Sequence, residues 1–241
     1  MGNWGIALAA VMAATPAAAQ TYGDTLLTAI AARHPGVASI RVATTAKDGR
    51  PIGIRRGEAA AVVTTVPLTT AMGDPIGVLT VTGRRRIAAG PIARDMARRI
   101  YVADNLIEAD PFVAGAIRDP RAQALVDQML DRFPDLITLA LHVAPLGASN
   151  TIIASSFGRI GKPADADDAD VIARGTIRRE VTNAGRRLAV ELPLLDASGR
   201  VIGALSTSFL IEPRGGNEAA YTRALAVRAA LARRIPSLAA L

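Results

Sequence analysis

Between Arg121 and Phe133 the apolar residues Leu125, Val126, Met129 and Phe133 fall on one stripe of a 3.6-residue period, which predicts an amphipathic helix. Pro134 ends it, because the residue before a proline is pushed out of the helical region. Leu136 to Val143, Thr151 to Ser155, Arg187 to Leu195 and Val201 to Leu210 are apolar-rich runs bounded by turn residues, and they read as strands. Between the second and third of these runs, Asp165 to Asp170 suit the first turn of another helix, where carboxylates oppose the dipole. Gly175 suits its C-terminal cap.

Part of this pattern is written twice. Pro193 to Ser208, "PLLDASGRVIGALSTS", matches Pro67 to Thr82, "PLTTAMGDPIGVLTVT", at Pro67/Pro193, Leu68/Leu194, Ala71/Ala197, Gly73/Gly199, Ile76/Ile202, Gly77/Gly203 and Leu79/Leu205. Leu26 to Ile40 likewise matches Leu125 to Leu139 through Leu26/Leu125, Arg33/Arg132 and Pro35/Pro134. Pro35 and Pro134 stand 99 residues apart and Pro67 and Pro193 stand 126 apart, so the second copy carries 27 additional residues in its middle. Gly73 and Gly199 suit left-handed turn positions, and Gly77 and Gly203, inside strands, suggest a close backbone approach. "LARRIPSLAAL" at Leu231 to Leu241 repeats the Arg-apolar-Pro pattern and reads as a closing helix.

Helix, strand, strand, helical crossover and strand hairpin is the order of a PAS-like α+β module. The expected fold is two such modules in tandem, each an antiparallel sheet with helices packed on one face. "NTIIASSFGRIGKPADADD" together with "LLDASGRVIGALSTSFLI" resembles the Cache family of extracytoplasmic sensor domains, and the pair of modules resembles a double Cache arrangement without membrane or signalling segments. The resemblance covers module two and the helix and hairpin of module one. It implies residues 20–110 as module one, 111–213 as module two and 214–241 as a C-terminal helix.

The chain opens "MGNWGIALAAVMAATPAAAQ", whose Ala17-Ala18-Ala19 end has the small-residue spacing of a secretory cleavage site. Residues 1–19 are expected to be a signal peptide and the protein periplasmic or secreted. Cysteine is absent, which excludes disulfides and thiol chemistry. The net charge is +7, with arginine clusters such as Arg84-Arg85-Arg86, but aromatic residues make up only 3%. Single-strand nucleic-acid binding needs aromatic stacking platforms, so no nucleic-acid partner is expected.

Catalytic patterns do not form. "GRIGKP" around Lys162 lacks the Gly and the Ser/Thr of a phosphate loop, and an EF-hand read from Asp165 has Asp170 and Thr176 at the glycine and glutamate positions. His34 and His142 have no third metal ligand at a recognisable spacing, and no particular serine is selected as a partner for His142. The expectation is a protein that is not an enzyme and uses no cofactor or metal. A PAS-like pocket lies between the sheet and its crossover, and the crossover is long only in module two. His142, Ser155, Arg159, Arg174 and Thr207 are the candidate ligand-binding residues. Arg174 is the expected clamp for a carboxylate, its guanidinium offering two parallel hydrogen bonds. The leading expectation is an exported sensor-like protein that binds a small molecule and acts through an envelope or membrane partner. The alternative is an interaction or structural module that docks such a partner without a ligand.

Overall fold

The computed structural model describes residues 20–144 and 149–241, so the expected signal peptide lies outside the described residues. Module one consists of α1 (Tyr22–Arg33), β1 (Val37–Thr45), β2 (Pro51–Gly57), β3 (Val62–Thr69), β4 (Pro75–Gly83) and α2 (Ala89–Ala97). A 3-10 turn at Ala103–Ile107 leads to module two: α3 (Pro120–Arg132), β5 (Leu136–Val143), β6 (Thr151–Ser155), α4 (Ala166–Arg174), β7 (Arg178–Thr182), β8 (Arg187–Leu195), β9 (Val201–Leu210) and α5 (Gly216–Ala232). No described helix is long and apolar enough to cross a membrane.

Helix starts follow local chemistry. Asp119 caps α3 by accepting from the Arg121 and Ala122 amides, and Pro120 follows at the first helical position, where no donor is needed. Asp165 caps α4 by accepting from the Asp167 and Asp168 amides, and Asp168 reaches back to the Asp165 amide. The aspartate run is therefore a capping box, not an ion loop. Gly175 closes α4 in the left-handed conformation.

The two antiparallel sheets run β2-β1-β4-β3 and β6-β5-β9-β8-β7, so deleting β7 makes the orders equivalent. In module one, α1 and α2 pack on one sheet face around Leu27, Ile30, Ile40, Val42, Leu79 and Ile92. In module two, α3 and α5 do the same around Val126, Met129, Leu139, Leu141, Leu205, Phe209 and Val227. The α+β fold of two modules matches the expectation. The one-face rule needs a correction in module two, because α4 packs on β8 and β9 from the side opposite α3 and α5.

The hairpins agree residue for residue. Leu68 pairs with Gly77 and Leu194 with Gly203, and the register slips immediately afterwards in both. A β-carbon on Gly77 would collide with the Ala43 carbonyl, and one on Gly203 with the His142 carbonyl, so both glycines are required by close backbone approach. Two hydroxyl pairs also correspond: Ser39 with Thr82 at 2.8 Å and Thr138 with Ser208 at 2.5 Å.

The C-terminal helix expected within 214–241 is α5; of the Leu231–Leu241 run read as a closing helix only Leu231 and Ala232 lie in it, and Leu238–Ala240 form a 3-10 turn. α5 contributes Ala220, Ala224, Val227, Ala230 and Leu231 to its core, so residues beyond 213 do not stand apart. Its counterpart is α2: the "ARRI" of Ala97 to Ile100 recurs as Ala232 to Ile235. The Ala71 amide donates to the Ile100 carbonyl at 2.8 Å, and the Ala197 amide to the Ile235 carbonyl at 2.8 Å. The tail thus repeats the end of module one rather than the proline-terminated helix that begins each module.

A polar joint ties the modules. The buried Tyr22 hydroxyl lies 2.9 Å from the Arg99 carbonyl and 3.0 Å from the Ser156 carbonyl, and burial pushes its pKa up. Arg99 pairs with Asp127 at 2.6 Å, Arg159 with Glu108 at 2.7 Å and Arg186 with Asp74 at 3.0 Å.

Candidate functional site

Strand parity divides module two. Leu139, Leu141, Leu205, Thr207 and Phe209 point toward α3 and α5, and the intervening positions His142, Ala140, Ala204, Ser206 and Glu191 point toward α4. The register sets Ala140 beside Ser206 and Ser206 beside Glu191, with His142 one step along β5. One half of this face is filled by Ala140, Ile152 and Ile160, with Phe157 and Ala116 against them. The other half is polar and lies under α4.

His142 is 6% exposed and Asp168, on the inner side of α4, 3%. His142 Nε2 lies 3.2 Å from Ser206 Oγ, and Ser206 Oγ donates to Asp168 Oδ1 at 3.4 Å. His142 Nδ1 lies 3.1 Å from Asp168 Oδ2 but makes no in-line hydrogen bond. Burial pushes the Asp168 carboxyl up, but the adjacent His142 ring, with the Asp165 amide and the Ser206 hydroxyl that donate to it, outweighs burial and holds the group below its ordinary value. Glu191 Oε2 is buried without a donor. Burial, followed by the charges of Asp168, Asp165 and Asp167, pushes the Glu191 carboxyl up to about 7, with Arg178 opposing.

Serine, histidine and aspartate are thus brought together, but not as a nucleophilic relay. A relay needs aspartate in line with one ring nitrogen and serine free to pass its proton to the other. Here the same serine bonds the aspartate directly and the ring Nδ1 has no in-line acceptor. Ser206 also lies mid-strand, its backbone paired into the ladder.

Of the five sequence-derived candidates, the structure places His142 in this cluster. Thr207 is one residue from Ser206, faces the α3/α5 side and donates to the Val190 carbonyl. Ser155 donates to the Gly158 carbonyl and accepts from the Phe157 amide, which makes it a turn brace. Arg159 holds Glu108 through two hydrogen bonds of 2.9 and 2.7 Å at the joint. Arg174 does not turn toward the sheet. Its side chain is 73% exposed and pairs with Asp170 at 2.9 Å one helical turn earlier, because the last residue of α4 falls on the outer side.

Asp168, Ser206 and Glu191 were missed. With His142 as anchor, alternation selects either 204, 206 and 208 or 205, 207 and 209 on β9, and only the register decides between them. In module one the positions equivalent to His142, Ser206 and Glu191 are Ala43, Thr80 and Thr65, of which the two threonines share a 3.2 Å hydrogen bond. Among the described residues nothing equivalent to α4 covers them.

Grooves lie elsewhere on the molecule. A groove of about 820 Å³ in module one is lined by Arg33, His34, Arg84, Arg85 and Arg86 among others. An apolar groove of about 950 Å³ runs past Val113, Ile117, Ile152 and Leu238, and Ile117 on its wall is 83% exposed. Among the described residues no group of three or more His, Asp or Glu side chains is placed to hold a metal ion.

No protein-family model matches the chain, and no curated protein matches it. Among solved structures it is similar to the inducer-binding domain of the PobR transcription factor from Acinetobacter, a double mutant in complex with 3-hydroxybenzoic acid. That likeness has 14% identity, covers 49% of this chain and 97% of the other, and has a TM-score of 0.30. It is also similar to a protein described as an IclR-family transcriptional regulator from Rhodococcus sp., at 13% identity over 66% of this chain and 70% of the other, with a TM-score of 0.32.

Proposed function

We propose that the protein is a non-catalytic small-molecule sensor whose ligand site is the face of module two beneath α4. One observation carries this reading. The duplicated sheets differ where α4 has been added, and there the buried His142 and Asp168 and the half-buried Ser206 and Glu191 stand where module one has Ala43, Thr80 and Thr65. A buried polar cluster with unmet atoms costs stability and is retained where a binding site needs it. Export to the periplasm or outside the cell, and action through an envelope partner, complete the proposal on the strength of the leader sequence.

The reading is tested by thermal-shift screening of residues 20–241 against small organic compounds, since a ligand stabilises the folded state by mass action. Compounds that raise the melting temperature of the wild-type chain should lose their effect in His142→Phe and keep it in Arg174→Ala. A screen without stabilising compounds, or compounds indifferent to His142→Phe, overturns the site.

The second reading, a docking module without a ligand, is favoured by the apolar groove beside Ile117, where Phe112 and Val113 are also exposed. Exposed apolar residues gathered at one place mark interaction surfaces. Ile117→Asp would abolish a partner contact there without altering any thermal shift caused by a compound under α4.

A further inference from the structure

We propose that the groove of module one, between the turn joining α1 to β1 and the loop joining β4 to α2, binds a phosphoryl-bearing anion. This site is separate from the face beneath α4.

The groove lies where the two copies of the repeat differ in helix length. α2 has 9 residues and α5 has 17, and the repeated "ARRI" aligns their C-terminal ends. Gly216 to Arg223, the first two turns of α5, therefore have no helical counterpart in module one. In module two the last of them, Arg223, holds Asp135 at 2.7 Å. Asp135 follows Pro134 as Gly36 follows Pro35, and Gly36 lines the groove. Module one thus leaves open, as a groove of about 820 Å³, a place that α5 reaches over in module two, and the volume suits a small molecule.

The lining sets the charge of the occupant. Arg84, Arg85 and Arg86 are exposed and make no ion pair with any described residue. Arg33 and His34 extend the basic wall, and Asp95 behind them is shared between Arg33 at 2.9 Å and Arg99 at 3.3 Å. Among the described residues no Asp or Glu lines the groove. By strand register the three arginines stand where module two has Leu210, Ile211 and Glu212, so the fold of a module does not require their charge. Guanidinium groups gathered without a counter-charge repel one another, and an anion among them relieves the repulsion.

A phosphoryl group answers this lining better than a lone carboxylate does. A carboxylate offers its oxygens to one guanidinium fork, whereas a phosphoryl group carries more oxygens and more charge on one centre and can be met by several arginines at once. No aromatic side chain lines the groove, so the bases of a nucleic acid find no stacking platform there. The occupant is a free phosphate compound or a lipid headgroup.

The experiment uses residues 20–241 at low salt and near neutral pH. Calorimetry compares pyrophosphate and tripolyphosphate with citrate and polyglutamate. Co-sedimentation compares vesicles of phosphatidylglycerol and phosphatidylcholine in equal parts with phosphatidylcholine alone. Two double variants remove the same charge: Arg85→Ala with Arg86→Ala in the groove, and Arg233→Ala with Arg234→Ala at the end of α5. All four residues are exposed, so both variants should fold, and thermal melting checks that they do.

The expected result is binding of a phosphate probe that weakens about tenfold in the groove variant, the loss of a hydrogen bond between charged groups, and stays at the wild-type level in the α5 variant. Ala38→Phe, which fills the groove from an exposed wall position without changing charge, should also weaken it. Binding of the free phosphates assigns a soluble compound, and binding of the phosphatidylglycerol vesicles alone assigns a headgroup. Equal weakening in both double variants reduces the effect to net charge and overturns the site, and full affinity in Ala38→Phe places the anion outside the groove and overturns it too. Citrate or polyglutamate bound as tightly as the phosphates overturns the phosphoryl assignment, as does the failure of every phosphate probe to bind.

Discussion

Gly203 lies so close to the carbonyl oxygen of His142 that no β-carbon fits between them, and Gly77 stands in the same relation to Ala43. The contact fixes β9 against β5 and therefore sets which β9 side chains share a face with His142. Gly203→Ala should destabilise module two by about 1–3 kcal/mol, the cost of forcing an extra methyl into a packed position. Urea denaturation followed by far-ultraviolet circular dichroism measures it, and a midpoint equal to wild type would contradict the close approach.

Arg174→Ala should change stability by no more than about 0.5 kcal/mol, because an exposed i,i+4 ion pair contributes little. A larger loss in the same denaturation experiment would show that the guanidinium turns inward after all.

Glu191 makes stability depend on pH in a defined direction. Its folded carboxyl is raised from 4.5 to about 7, so between these values the folded state holds more protons than the unfolded state. Stability contributed by this group is complete below about pH 4.5 and is lost as pH rises toward 7. The loss should be on the order of 1 kcal/mol, because solvent screens a partly exposed group. Melting temperatures of wild type and Glu191→Gln, measured from pH 5 to 8, should show the decline in the former and a flatter profile in the latter. Asp168 acts in the opposite sense: its lowered carboxyl contributes stability above its unfolded value that is lost in acid.

Tyr22→Phe removes the one donor that meets both the Arg99 and Ser156 carbonyls. The cost should be about 1–3 kcal/mol for leaving buried acceptors unmet. Thermal unfolding of the variant should begin earlier, and proteolysis should reach the turn around Phe157 sooner than in wild type.

Much of the fold was legible because its punctuation is local. β5, β6, β8 and β9 have the ends expected from Pro134, Gly199 and their neighbouring turn residues. β7 was not foreseen: "RREVT" is an edge strand with four of five residues exposed, and it carries no apolar alternation to announce itself. The equivalence of α2 and α5 was present in the repeated "ARRI" but was obscured by Pro236, which suggested a different alignment. The site was half legible. A long middle segment in one copy pointed to α4, but every residue of β5 is buried, so its two faces could not be told apart from burial pattern alone. Thr207 and Ser206 fall on opposite faces of β9, and only the register tells which of them shares a face with His142.

The two ends of α4 are held very differently. Before it, residues 160–164 run back along β6 through hydrogen bonds from Ile152 to Lys162, Gly161 to Ile152 and Ala164 to Asn150, and Phe112 binds Ile160 from the intermodule segment. After it come Gly175, Thr176 and β7, all on the exposed margin of the sheet. A helix held this way would tilt, if displaced, about its Pro163 end. A molecule wedged beneath it would move the far end most and displace β7 sideways, so the sheet margin, rather than the joint at Tyr22, is where occupancy of the site would be read by whatever touches this protein.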